Sequence, residues 1–167
     1  YTENSMLNAV NPYDCSKACA DIVARSYAKS FGLNVTVARS VNIYGPGDVN
    51  WDRIIPGTIK SLLKEKKPVL RSNGRFLRDY LYVDDVVNGY LKLGTLMLKD
   101  KSINGKAINF GSNNPISVIN LVSIILKQFN KSKKFFLIKN KTKNEIKIQY
   151  SSFEYASKVL KWYPETS

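Results

Sequence analysis

Apolar residues recur at helical spacing in five stretches of this chain, separated by short β-branched runs and by Gly, Pro and Asn breakers. From Pro12 to about Phe31, the positions Ala18, Cys19, Ile22, Val23 and Tyr27 follow a helical period. Pro12 suits the first turn of that helix and Gly32 its stop. The run "NVTVAR" (34–39) alternates and predicts a strand. "NIYGPGD" (42–48) reads as a turn or loop. Helical spacing returns at Ile54, Ile55, Ile59, Leu62 and Leu63. A turn at Asn73-Gly74 leads into an extended run. Asp84 and Asp85 are placed to cap a helix carried by Val86, Val87, Tyr90, Leu91 and Leu98. "KAINFGS" (106–112) predicts a short strand leaving into a loop, where Asn113 and Asn114 read as turn formers. Ser117 is placed to cap a helix through Val118, Leu121, Val122, Ile125 and Phe129. "KKFFLIK" (133–139) predicts a short buried strand, Ile146–Tyr150 another, and a short helix runs through Leu160. Strand and helix signals that alternate in this way predict an α/β fold.

Composition narrows the class. At 167 residues and 44% hydrophobic, the chain is long enough for one core of ordinary size and too apolar for disorder. No apolar run approaches the roughly 18 residues of a membrane span, and no targeting signal is seen, although a chain opening on Tyr1 rather than Met says little about leaders; a cytoplasmic setting is the expectation. Cys15 and Cys19, four apart on one helix, have diverging Cβ vectors that would strain a disulfide. They read as two small apolar residues. With no histidine in the chain, a His-ligated zinc site and a Ser-His-Asp triad within it are ruled out. The net charge is +13, and lysine supplies 20 of the 26 basic residues, eight of them between Lys127 and Lys147. A basic stripe marks either a solvated face or a polyanion partner. RNA readers interleave aromatics with their basic residues, whereas Phe135 and Phe136 sit side by side, so nucleic acid is disfavoured as a partner. A non-catalytic basic module that binds nucleic acid or an acidic partner remains the rival reading from another class.

The sharpest chemical feature is Tyr13-Asp14-Cys15-Ser16-Lys17. Tyr and Lys four apart near a helix start face the same way. A phenol is a poor base at neutral pH, and a neighbouring ammonium favours its charged form. The pair therefore suits a general base that takes a proton from an alcohol during hydride transfer. Alone, the spacing is weak, because ten tyrosines and many lysines produce it by chance.

Context strengthens it. "NPYDCSKACAD" (11–21), then "RSYAKSFGLNVTVARSVNIYGPGD" (25–48) with its R-x-x-N-x-Y-G-P, then the run from Arg53 to Leu93, "INFGSNNPISV" (108–118) and "SKVLKWYP" (157–164) occur in one order. In that order and spacing they resemble the extended short-chain dehydrogenase/reductase family, in its nucleotide-sugar dehydratase/epimerase group. Lys161 stands where the closing motif of that group usually has glycine. The string "GDVNWDRIIP" is most similar to the branch of CDP-glucose 4,6-dehydratases.

The resemblance implies the C-terminal part of a Rossmann-type fold plus the small sugar-nucleotide-binding lobe. It implies that residues 1–167 form the C-terminal portion of an NAD-dependent epimerase/dehydratase domain, since no G-x-x-G-x-x-G fingerprint is present. The family's Ser/Thr and the acid–base pair that eliminates water would lie upstream of Tyr1. By the same resemblance Tyr13 and Lys17 are catalytic, and Tyr13, Lys17 and Asn42 hold the cofactor, NAD rather than NADP. Asn42, Arg53 and Arg78 would hold the nucleotide-diphosphate sugar, Arg53 and Arg78 near its diphosphate, where a guanidinium fits phosphate oxygens in bidentate fashion. Asp79 would orient or neutralise Arg78, and Arg71 and Arg75 read equally well as a basic edge. The implied activity is 4,6-dehydration of CDP-glucose or a related hexose through a transient 4-keto sugar, with a 4-epimerase or reductase as the sister reading. The implied assembly is a homodimer.

Overall fold

The structure is a computed structural model that describes residues 1–139 and 145–166, so Lys141 and Lys143 of the lysine-rich stretch lie outside the described residues. In chain order the elements are α1 (Pro12–Phe31), β1 (Val37–Ser40), β2 (Asn42–Tyr44), α2 (Ile54–Leu63), β3 (Val69–Leu70), β4 (Leu77–Arg78) and β5 (Tyr80–Tyr82). They continue with α3 (Val83–Lys99), β6 (Ala107–Phe110), β7 (Ile116–Ser117), α4 (Val118–Gln128), β8 (Leu137–Ile138), β9 (Ile148–Gln149) and α5 (Glu154–Leu160). The result is the α/β architecture that the alternating pattern predicts.

Helix α1 starts and stops where its punctuation dictates. Asn11 caps it, its Oδ1 accepting from the Asp14 N–H at 2.9 Å, and Gly32 ends it in the left-handed conformation at φ 65°. Most of its apolar stripe faces outward. Ile22, Val23, Tyr27 and Phe31 are exposed, while Asp21 and Ala28 are buried. Asp21 faces inward because Arg39 of β1 grips it with two bonds, of 2.7 and 3.0 Å. Cys15 and Cys19 lie on the outward face, exposed and free, with no disulfide between them. A hydrogen bond with Cys19 holds the Cys15 thiol above its ordinary pKa.

The larger core forms around the parallel pair β1–β6, in register from Val37↔Ala107 to Ser40↔Phe110, closed by α3 and α5. Phe110 and Trp162 are fully buried and meet edge to face at 5.0 Å, with Phe153 at 6.1 Å on the same indole. Gly89 on α3 is required by this packing, since a Cβ there would sit 2.5 Å from the Phe110 ring. Trp162 Nε1 donates to the Asp85 carbonyl at 2.9 Å. The Asp85 carboxylate accepts from the N–H groups of Glu165 and Thr166, at 3.1 and 3.0 Å. The expected cap of α3 is thereby corrected. Tyr82 is its N-cap, without a side-chain bond, and Asp85 pins the closing segment instead. Lys161 replaces glycine by adopting the left-handed conformation itself, at φ 51°.

The smaller lobe packs α2 against α4 over buried Leu62, Leu70, Val122 and Leu126. Ser117 caps α4 as expected, accepting from the Asn120 N–H at 3.2 Å. Asn113 takes a left-handed turn conformation, also as expected. Phe135 and Phe136 pack half-buried on this core, but the strand after them, β8, is exposed and pairs in parallel with β3. The predicted buried strand is thus corrected to an exposed edge preceded by an aromatic anchor. Residues 42–44 are a strand rather than a loop, because β5 supplies a parallel partner, Asn42↔Tyr80 to Tyr44↔Tyr82. No helix among the described residues is long and apolar enough to cross a membrane.

Candidate functional site

A cleft of about 1010 Å³ opens where the first turn of α1, the ends of β1 and β2, and the start of α2 meet. Tyr13, Lys17, Asn42 and Arg53 all line it. Tyr13 is 69% exposed, and its ring lies 5.5 Å from the Lys17 ammonium, as helical i, i+4 spacing requires. Asn42 opens β2. Its backbone N–H and its side-chain Nδ2 both donate to the Asp79 carbonyl, at 3.2 and 3.0 Å. Arg53 immediately precedes α2, and its guanidinium pairs with Asp48 at 3.2 Å.

Arg78 is the predicted site residue that does not line the cleft. It lies in β4, only 11% exposed, with its guanidinium bonded to Glu145 at 2.7 Å and to the Leu77 carbonyl at 2.9 Å. It stands one strand away, since its register partner Gln149 does line the cleft. Asp79 neither orients nor neutralises Arg78. Its fully buried carboxylate accepts from the N–H and hydroxyl of Ser112 and from the Ser151 N–H, which corrects the expected pairing. Arg71 reaches Asp52 at 2.6 Å in an exposed pair, as a basic edge would.

Several cleft residues had no individual signal in the sequence. Asn109 is 2% exposed in the otherwise apolar β6, its backbone N–H donates to Glu3 Oε1 at 2.8 Å, and its Nδ2 has no acceptor among the described residues. A buried amide donor left open in a cleft wall is costly unless something pairs with it. An asparagine inside "AINF" was the clue, since a strand buried on both faces rarely admits one. Tyr44 and Tyr80 add phenols that stay neutral. Burial raises Tyr44, with smaller contributions from Asp85 and Tyr82. Burial also pushes Tyr80 up to about 12, with Arg78 opposing and Glu145 reinforcing the shift. No group of three or more metal-ligating residues occurs among the described residues.

This wall combines a phenol beside an ammonium, an open amide donor and an arginine at a helix start. It can hold a polar, anionic ligand and move a proton from a hydroxyl. Comparison with known proteins agrees. Residues 1–111 match the NAD dependent epimerase/dehydratase family. A dTDP-D-glucose 4,6-dehydratase of Dictyostelium discoideum is 39% identical over 124 residues, 74% of this chain and 27% of that protein. A UDP-glucuronate 4-epimerase of Thermodesulfobacterium geofontis is 30% identical over 95% of this chain and 47% of its own length. The crystal structure of a dTDP-glucose 4,6-dehydratase from Bacillus anthracis in complex with NAD superimposes with a TM-score of 0.87 at 28% identity, over all of this chain and 51% of that one. The chain thus spans about half or less of each of these relatives, and it belongs to the NAD dependent epimerase/dehydratase family.

Proposed function

We propose that this chain supplies the C-terminal, sugar-nucleotide-binding portion of an NAD-dependent nucleotide-sugar 4,6-dehydratase, with Tyr13 as its general base. The observation that carries the reading is the convergence of Tyr13, Lys17, Asn42 and Arg53 on one cleft from three separate segments. Tyr13, Lys17 and Asn42 would hold the nicotinamide end of NAD, and the open Nδ2 of Asn109 supports a polar ligand in the same wall. NAD, when bound, supplies a hydride acceptor for the sugar C4 and a hydride donor for C6.

The chain's own residues do the rest. The Tyr13 oxygen takes the proton of the C4 hydroxyl, so that a carbonyl can form there, and Lys17 keeps positive charge over the same ring. The 4-keto group acidifies C5–H, which allows water to leave across C5–C6. Arg53 and Arg78 neutralise the diphosphate and fix the sugar in register with Tyr13. A cytidine diphosphate hexose is the proposed substrate, on the strength of "GDVNWDRIIP", and the product is a 4-keto-6-deoxyhexose. A 4-epimerase shares the first proton transfer, and the Thermodesulfobacterium relative keeps that sister reading open. The outward stripe of Ile22, Val23, Tyr27 and Phe31 supports a homodimer, since exposed apolar stripes of this kind mark contact surfaces. A cytoplasmic setting belongs to the same proposal.

The test is turnover by the intact enzyme on CDP-, dTDP-, UDP- and GDP-glucose, followed by appearance of the 4-keto product. Tyr13→Phe is expected to lower kcat by at least about 10²-fold with little change in nucleotide-sugar affinity. Equal turnover in the variant would remove Tyr13 from the chemistry. Epimerisation without dehydration would move the enzyme to the sister group.

A further inference from the structure

We infer that Glu145 is an internal counter-anion that competes with the substrate's diphosphate for Arg78 and thereby sets nucleotide affinity. The inference rests on the proposed role of Arg78 and adds a residue to it.

The geometry begins with the backbone. Segment 145–149 is stitched along β4: Leu77 N–H donates to the Lys147 carbonyl at 2.9 Å, and Asp79 N–H to the Gln149 carbonyl at 3.2 Å. That ladder sets Glu145 opposite the Arg78 guanidinium, where Oε1 accepts from Nη2 at 2.7 Å. The pair is not an ordinary surface contact, because the Arg78 side chain is 11% exposed and its charge is screened little by solvent. Of the five guanidinium N–H groups, two have partners among the described residues, Glu145 and the Leu77 carbonyl. Three N–H groups are without a partner among the described residues.

The pair also communicates with the cleft. Tyr80, two residues along, lines the cleft, and its phenol responds to both charges, Arg78 and Glu145 acting on it in opposite senses. Gln149, in register with Arg78, lines it as well. An anionic diphosphate drawn toward Arg78 from the cleft therefore meets a guanidinium whose charge is already matched. The ligand must displace Glu145 or share Arg78 with it, and two anions on one largely desolvated cation repel each other.

The experiment is calorimetric titration of the intact protein with CDP, in wild type, Glu145→Gln, Arg78→Ala and the double variant. Glutamine keeps a side-chain oxygen for Nη2 and loses the negative charge. Glu145→Gln is expected to tighten CDP binding by at least about tenfold, the scale of one charge-assisted hydrogen bond. In the Arg78→Ala background the same substitution is expected to change nothing. Thermal melts of each variant confirm that the fold persists. Unaltered affinity in Glu145→Gln, with Arg78→Ala weakened, overturns the inference and leaves the site assignment standing. An equal gain in the Arg78→Ala background also overturns it, because the effect would then be general charge rather than competition for Arg78. Unchanged affinity in Arg78→Ala removes the diphosphate assignment, and the inference with it.

Discussion

Around Trp162, a hydrophobic cluster of nine buried side chains includes it and three aromatic rings meet edge to face, whereas the buried hydrophobic cluster between α2 and α4 has four members among the described residues, Leu62, Leu70, Val122 and Leu126. The strands differ in the same sense. All four residues of β6 are buried, while β8 and β9 are exposed. Both regions contribute to one cleft, but they contribute different things. The large core braces β1 and β6, and through the Asp21–Arg39 pair it braces α1, which carries Tyr13 and Lys17. The lobe carries Arg53 and the strand that places Arg78. Proton transfer tolerates errors of only a few tenths of an ångström, whereas a diphosphate can be followed by long, flexible arginines. The denser packing lies under the groups whose positions must be most exact.

The largest expected effect tests that difference directly. Trp162→Ala should cost about 3–5 kcal/mol, since it removes the ring shared by Phe110 and Phe153 and leaves the Asp85 carbonyl without its donor. Leu126→Ala, in the thinner core, should cost about 2–3 kcal/mol. Urea unfolding measures both. In activity assays Leu126→Ala should raise KM for the sugar nucleotide more than it lowers kcat, because the arginines move and Tyr13 does not. Equal losses of stability, or a fall in kcat alone in Leu126→Ala, would erase the contrast between the two regions.

A smaller effect reads the seam between them. Tyr80 lies in β5, against the cleft, and burial pushes its phenol up to about 12 from an unfolded value of about 10. A raised pKa means that the folded state favours the neutral form. The associated stability is full below pH 10 and is lost as pH climbs toward 12. Wild type should therefore lose about 1–2 kcal/mol more than Tyr80→Phe between pH 9 and 11.5, after allowance for solvent near the ring. Denaturant melts at the two pH values decide it. Parallel losses in the two proteins would mean that the phenol is solvated and the seam open.

Much of this was legible in the residues because the signals were local. Pro12 and Gly32 bound α1 to the residue, and Ser117 caps α4 as its hydroxyl suggests. Tyr13 and Lys17 needed only helical spacing. What escaped was decided by partners far along the chain. Asn42–Tyr44 looked like a loop because its breakers follow at once, yet β5, nearly forty residues on, makes it a strand. Asp85 looked like a cap because it begins a helix, but the closing segment takes both its oxygens. The stripe on α1 was legible as a helix, but its spacing did not say which way it faces. Hydrophobic spacing reports which residues share a face, and the Asp21–Arg39 pair decides which face turns inward. Asn109 was hidden for the opposite reason, as a polar side chain in a run whose apolar neighbours explain the strand without it.

The smallest effect concerns the single departure from the family's closing motif. Lys161 follows α5 at φ 51°, ψ 41°, in the left-handed region that a side chain makes unfavourable by roughly 1 kcal/mol. Its backbone is held there from two sides: Lys92 Nζ donates to its carbonyl at 2.9 Å, and the next residue, Trp162, is locked in the larger core. Neither contact uses the Lys161 side chain, so glycine would keep both. Glycine would relieve the strain but would also gain freedom in the unfolded chain, which offsets part of the benefit. Lys161→Gly should therefore stabilise by about 0.5–1 kcal/mol, a rise in Tm of roughly 1–4 °C for a domain of this size. Lys161→Ala separates the causes. Alanine removes the same charge and methylenes but keeps the Cβ, so its Tm should match wild type within about 1 °C. A rise in both variants would assign the effect to the lysine charge in a chain of net charge +13, and a rise in glycine alone to the backbone.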